Sequence, residues 1–326
     1  MTTQVSATTR AVHSRRGLLL REAARSFYRK HSDRIKESHG IVHAETVYHH
    51  ARQAIESLLR PRSTTDAFSN SNKNNHHKPL LSQDEVLEIE AAALLHDVDD
   101  DKYFPRDSSS SSNKNNSTIE TKDKVVRLEH YASLYPNAVE LMREARIPES
   151  SHETILFMID VVSCSKNGNS VPDRVDTNRG SNDGTNDDSH SGNYHLLIPR
   201  WSDRIEAVGA RGVWRCYQYN REKRRPLDLP GVTPRPRTPE ELWSFVRAER
   251  FEAYQTAAAT TEDPSMLGHY YDKLFHVACP PSRIVRNEYL EEKLRDSAKE
   301  LVEVCLRYGR TGVVDEDYIK SFRDTI

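Results

Sequence analysis

Two histidines and two aspartates stand where the sequence has no structural need for them. His43 heads an apolar series, Val47, Ala51, Ala54 and Leu58, spaced 4, 4, 3 and 4 residues apart, which is one face of a helix. His96-Asp97 ends the apolar run Ala91 to Leu95, and Asp203 leads a pattern carrying Ile205, Val208 and Gly209. Singly, each is ordinary. A histidine on an apolar helix face is more often a satisfied core residue than a ligand, and His-Asp is a common dipeptide. Together they are two imidazoles and two carboxylates at buried helix ends and faces, the donor set a divalent metal needs. It suits Mn²⁺, Fe²⁺, Co²⁺ or Zn²⁺, with Mg²⁺ possible. Four protein ligands leave room for water and a phosphate oxygen, and a bound ion acidifies that water and neutralises phosphoryl charge. A buried aspartate without such a partner would be costly.

Around this set lie further charges. Asp99, Asp100 and Asp101 follow the His-Asp pair and have a plain reading as a solvated loop cap. Lys102 stands six residues beyond His96, placed to meet either a phosphate as a point charge or the acids beside it. Arg204 adjoins Asp203 but points about 100° away on a helix, so a structural pair with Glu206 competes with a substrate contact. Lys166 follows "VVSCS", and His269 and Lys273 share a helix face at i,i+4. As lone residues these three are surface groups. His130 and His152 sit near helix starts with polar neighbours and also read as surface. The pair His76-His77 lies in an Asn/Ser tract and reads as solvated.

The elements that must position these residues are helical. Ser82 followed by Glu85 is a capping box opening "QDEVLEIEAAALL". Helices are predicted over 123–145, 150–163 and 202–221, the last after the apolar approach "YHLLIP"; 239–259 and 285–307 are amphipathic. No alternating strand pattern is convincing, so an all-α fold is expected. Three segments, 61–80, 105–122 and 166–193, are rich in Ser, Asn, Asp and Gly; they lack the apolar surface to offset ordering entropy and are expected to be disordered. The Pro- and Arg-rich stretch 222–238 reads as an ordered excursion or solvated linker in preference to a basic binding loop. The expected organisation is a flexible 1–16, one helical domain over 17–310 carrying the three insertions, and a C-terminal tail over 311–326.

Composition narrows the partners. The 326 residues are 36% hydrophobic and 29% charged with a net charge of -2, which gives no pull toward nucleic acid or an anionic membrane. No run of 18 apolar residues exists, so no membrane span is expected. Mean hydropathy is -0.77, lowered by the insertions. Cys164, Cys216, Cys279 and Cys305 form no CxxC pair, which argues against a zinc finger or disulfide scaffold and fits a reducing, cytoplasmic setting. The first 21 residues hold four arginines and no acid; an organellar transit segment is the weaker alternative to a frayed lead into a first helix.

The order His43, His96-Asp97, Asp203 resembles the HD-domain metal-dependent phosphohydrolases, and the likeness extends beyond the four residues. "HGIVHAETV" resembles the first-ligand helix. "AAALLHDVDDDKY" looks like the "ALLHDxxDxK" segment of the YedJ/YpgQ-like subgroup. "SDRIEAVGARGVWRCY" is similar to that subgroup's "ADRLDAIGAIGIARAF", and "MLGHYYDKLFHV" to its "INHFYEKLLKL". The resemblance covers roughly 20–310 outside the insertions. It implies an HD-type helical bundle, ligation of one divalent ion (Mn²⁺ first) by His43, His96, Asp97 and Asp203, and attack of metal-bound water on phosphorus. Asp97 would also orient that water, and Asp100 is the first choice for a general acid/base. Lys102, Lys166, Arg204, His269 and Lys273 become candidate phosphate contacts. The implied substrate is a small phosphorylated molecule, a nucleotide first, and a homodimer is the possible assembly. The chain departs from the subgroup at Trp201-Ser202-Asp203, where DAD is common, and at Ser163-Cys164, where binuclear HD enzymes carry a His pair. The second departure favours one metal and disfavours an HD-type oxygenase. The rival from another class is a catalytically inactive nucleotide-sensing or scaffold protein on the same bundle.

Overall fold

The computed structural model describes residues 7–36, 39–60, 81–105, 123–176, 192–256 and 263–323. Among them there is no strand; the fold is all-α. In chain order the helices are α1 (Ala7–Lys30), α2 (Ile41–Leu59), α3 (Gln83–Leu95), α4 (Lys124–Leu134), α5 (Pro136–Glu144), α6 (Glu149–Asp160), α7 (Cys164–Asn167), α8 (Ile198–Ala207), α9 (Gly209–Glu222), α10 (Pro239–Ser244), α11 (Ala248–Thr256), α12 (Met266–His269), α13 (Phe275–Ala278), α14 (Ser282–Val285), α15 (Glu288–Thr311) and α16 (Glu316–Lys320). A π-helical turn, Tyr270–Leu274, joins α12 to α13.

The expected starts hold where a cap dictates them. Ser82 Oγ accepts from the Glu85 N–H, and the Glu85 carboxylate accepts from the Ser82 N–H, so α3 begins as predicted. Helix α3 is then buried nearly all round, with Ile89, Ala91, Ala92, Ala93 and Leu95 fully inaccessible. It packs against α1, α2, α6 and α8. Helix α2 lays His43, Val47, Ala51 and Ala54 into the same core, as the spacing predicts. A second cluster gathers Tyr270, Tyr271, Phe275, Leu301 and Tyr308; α15 spans both, placing Leu290 and Leu294 in the first and Leu301 to Tyr308 in the second.

Several boundaries differ from expectation, each for a local reason. The helix expected over 123–145 is two, because Pro136 opens α5 and pushes Tyr135 to φ -130, ψ 57. The helix expected over 202–221 begins earlier and breaks once, at Gly209 (φ +71). A Cβ at Gly212, one turn on, would sit 2.3 Å from the Ala207 carbonyl oxygen, so the chain turns there on glycine alone. Segment 239–259 holds two short helices, α10 and α11. Residues 166–176, expected in the third disordered insertion, are folded: Val175 is fully buried, and Arg174 pairs with the buried Glu153 at 2.5 Å. Residues 61–80, 106–122 and 177–191 lie outside the described residues. Helix α1 already runs from Ala7 within the expected flexible leader, and the expected tail carries α16, with Ile319 fully buried. Stretch 222–238 is an ordered excursion. Its Thr233 hydroxyl donates to Asp263, and its Pro226 and Leu227 carbonyls accept from Met266 and Leu267.

Candidate metal centre

Three mutually packed helices, α2, α3 and α8, bring the ligands together. His43 lies in the first turn of α2. His96 is the C-terminal cap of α3 and Asp97 the next residue, so both stand at the end of a helix whose free carbonyls favour a cation. Asp203 projects from the middle of α8, a helix anchored by the fully buried Trp201. Their donor atoms converge. The two Nε2 atoms of His43 and His96 are 3.2 Å apart. Asp203 Oδ1 is 3.3 Å from His43 Nε2 and 3.5 Å from His96 Nε2. Asp97 Oδ2 is 3.5 and 3.4 Å from the same two atoms.

This spacing fits a divalent ion. A triangle with sides of 3.2, 3.3 and 3.5 Å has a circumradius of about 1.9 Å, so an ion with bonds of about 2.0–2.2 Å rests just off its face. The triangle completed by Asp97 has nearly the same size and shares the imidazole edge. Tautomers fit as well. His96 Nδ1 lies 2.9 Å from the Ala93 carbonyl oxygen and donates to it, which leaves the Nε2 lone pair facing the cluster. Buried His43 has no hydrogen-bond partner for its Nδ1 among the described residues.

The charges of the four groups act strongly on one another. Burial disfavours charge on Asp97 and Asp203, yet the adjacent imidazoles hold both carboxyls well below the usual carboxylate range. Burial also opposes protonation of His96, but Asp97 and Asp203 overcome it and raise the imidazole well above its ordinary value. Protons and a divalent cation would compete for these same donors.

No known family profile matches the sequence. The uncharacterized protein L803 of Acanthamoeba polyphaga mimivirus is 30% identical over 228 residues, covering 70% of this chain and 79% of the viral one. The chain belongs to the family of that viral protein. A crystal structure of a Lactobacillus plantarum protein superposes with a TM-score of 0.44 at 15% identity, covering 94% of this chain and 96% of that one.

The remaining sequence candidates divide. Asp100 approaches the centre: its carboxylate, Asp97 and His39 bring ligand atoms within 4.8 Å of one another. Lys102 is at the rim, its backbone N–H and its ammonium both on Asp100. Lys273 lies on the π turn, where Tyr254 and Asp203 offset the cost of burying its ammonium and raise it above the ordinary lysine value. Its neighbour His269 meets the same Tyr254 ring, at 5.7 Å. Lys166 is exposed at the end of α7. Arg204 is engaged structurally, though with the loop after α7 and not with Glu206: it is 1% exposed, stacks on Trp201, and donates to the Gly168 carbonyl and to Asn169 Oδ1. Asp99 does not sit in a solvated loop either. It is buried and accepts from the N–H groups of Asn137 and Ala138, capping α5. His152, expected on the surface, is buried with its Nε2 on the Ile147 carbonyl. His39 was passed over in the sequence; it precedes the extended N-cap Gly40 and so lies outside α2, and its four-residue spacing from His43, whose ring is 6.0 Å away, is the signal that could have found it. Arg215, whose charge bears on His39, was passed over as well, as was Tyr254, for which the sequence carries no signal.

Proposed function

We propose that the chain is a metal-dependent phosphohydrolase of the HD-domain type, cleaving a phosphate ester or anhydride of a small substrate, a nucleotide first. The observation that carries this reading is a pair of buried imidazole nitrogens 3.2 Å apart, each met at 3.3–3.5 Å by an oxygen of Asp97 and an oxygen of Asp203, in the order His, His-Asp, Asp. His43, His96, Asp97 and Asp203 would hold one divalent ion, Mn²⁺ first, then Mg²⁺, Co²⁺, Fe²⁺ or Zn²⁺. When bound, that ion supplies an acidified water and neutralises phosphoryl charge.

The chain's own groups do the rest. Asp100, 16% exposed at its side chain, is placed beside Asp97 to take or return a proton. Lys273, whose charge bears on Asp203, and Lys102 and Arg215, whose charges bear on His39, would supply cations for the substrate's phosphates. A π turn under Lys273 is the kind of local irregularity that recurs at functional sites. A cleft of about 510 Å³ runs between the end of α1 and the start of α2, lined by Arg25, Tyr28, Arg29 and Ser32; it offers room for the part of the substrate that does not react. None of its lining residues is a proposed metal ligand. The four cysteines are free, in keeping with a reducing cytoplasm. Among the described residues no helix is long and apolar enough to cross a membrane.

The test is release of phosphate and pyrophosphate from a panel of nucleotides and sugar phosphates, with Mn²⁺, Mg²⁺, Co²⁺ or no metal, beside Asp97→Ala. Metal-dependent release that the variant loses is the expected result. A chain that binds a nucleotide but releases nothing with any metal is a sensor or scaffold, and the hydrolase reading fails.

A further inference from the structure

Beside the first donor set lies a second. His39, Asp97 and Asp100 bring one ligand atom each to within 4.8 Å of the others, and all three are half-buried. Asp97 belongs to both sets, so its carboxylate stands between them. One cation already meets two of these three donors: the Lys102 ammonium, 3.3 Å from Asp100 Oδ2 and 3.5 Å from His39 Nε2. We propose that this is a second divalent-cation site in which Lys102 serves as a built-in, displaceable cation. Its ammonium holds the chain to a single metal ion, and removing it admits a second ion bridged to the first by Asp97. This inference rests on the metal-centre reading above.

Hydrogen bonding at His39 supports ligand character. An ammonium can only donate, so the His39 Nε2 that meets Lys102 presents its lone pair. The ring proton of the neutral imidazole then sits on Nδ1, 3.1 Å from the Tyr103 hydroxyl oxygen, which accepts it. That is the tautomer a metal-ligating histidine adopts, with a second group fixing the far nitrogen. Asp100 is likewise pre-oriented: its Oδ1 accepts from the Lys102 N–H at 2.9 Å, leaving Oδ2 for the cation. Arg215, whose charge also bears on His39, donates to the Glu206 carbonyl oxygen at 3.2 Å. The plug itself is loosely held. The Lys102 side chain is 67% exposed, so its ammonium can swing into water without disturbing a core contact. Two ions sharing one carboxylate would stand about 3.5–4 Å apart, the spacing of two-metal hydrolytic sites.

The experiment is a metal count on refolding-free, chelator-stripped full-length chain. Protein is equilibrated with Mn²⁺, desalted and analysed for bound metal, with electron paramagnetic resonance to detect a coupled pair. Expected are one equivalent in the wild type and in Lys102→Arg, two with a coupled-pair spectrum in Lys102→Met, and one again in the double variant Lys102→Met/His39→Ala. The exposure of Lys102 means its variants keep the fold, which helical circular dichroism verifies. One equivalent in Lys102→Met overturns the inference and leaves the first centre standing, as does a wild type that already binds two. A second equivalent that survives the loss of His39 overturns the assignment of ligands. A wild type that binds none overturns both readings.

Discussion

Loading the centre should stabilise the folded chain by an amount that can be calculated beforehand, and Asp203→Ala should abolish most of it. The donors are gathered only by the packing of α2, α3 and α8, and the unfolded chain scatters them over 160 positions, His43 to Asp203. An ion that binds only the folded state at 100 times its Kd stabilises it by about 2.7 kcal/mol. For a chain of this size each kcal/mol moves Tm by about 2–4 °C, so the expected rise is about 5–11 °C. Asp203→Ala removes one side of the ligand triangle and leaves two imidazoles at 3.2 Å facing a single carboxylate. The shift should fall below about 2 °C at the same metal concentration. His96 sets the sign with pH. Asp97 and Asp203 raise it well above its ordinary value, and its Nδ1–H is committed to Ala93, so the proton a metal must displace is the one on Nε2. Apparent affinity should therefore climb with pH, by about tenfold per unit where one proton leaves per ion, until the folded-state value of His96 is passed. The assay is a thermal melt with and without Mn²⁺, Co²⁺ or Zn²⁺ across pH 6–9 (~three points per unit), and it needs no substrate. A wild-type Tm that no divalent ion moves, or an Asp203→Ala chain that responds equally, refutes the argument.

Three other outcomes follow from single contacts. His269 is lowered to about 3, by burial first and then by Lys273 and Arg225. The unfolded imidazole therefore binds its proton first, and stability should fall as pH drops from about 6.5 toward 3, at about 1.4 kcal/mol per unit; His269→Gln should flatten this limb of an acid-unfolding curve. Asp99→Ala removes the cap on the first N–H groups of α5 and should cost about 1–2 kcal/mol by urea melting with an unchanged m-value. Arg204→Met should lower stability by about 1–3 kcal/mol through the stranded Gly168 carbonyl, while KM for any phosphorylated substrate stays within about twofold of wild type; a large KM change with an intact Tm would restore Arg204 to the substrate site.

How far the sequence could be read depended on which interaction decided each feature. Fold class and the starts of α2 and α3 are set by local periodicity and a capping box, both visible along the chain. The cluster of His43, His96, Asp97 and Asp203 was legible because burial makes charge expensive: His96-Asp97 at the end of five apolar residues demands compensation, and that demand can be read before any coordinate. The structural partners of Arg204 were not legible because Gly168 and Asn169 lie in a segment whose Ser, Asn and Gly content reads as disordered. The same composition serves a folded loop once two buried arginines, Arg200 and Arg204, bind its carbonyls and Val175 enters the core. Composition records what a segment cannot bury by itself, and says nothing of what neighbours bring to it.

His39 shows the converse limit. Its spacing from His43 was present in the sequence, but its chain neighbours Lys36, Glu37 and Gly40 give no sign of a buried partner. Only packing puts Lys102 and Asp100 across the ring from Tyr103, and that placement turns a surface histidine into a donor with a defined tautomer. An ammonium where a second divalent ion would sit also bears on the chemistry. It lends one positive charge in place of two, without requiring the site to be refilled whenever metal is scarce. Such a centre gives up some electrostatic stabilisation of a phosphoryl transition state. In return its charge is fixed by the chain itself, and the first ion alone sets the metal dependence. Activity should then saturate with a single metal-binding step in the wild type and with two in Lys102→Met, so a metal titration of rate separates a lysine that stands in for an ion from one that only touches the substrate.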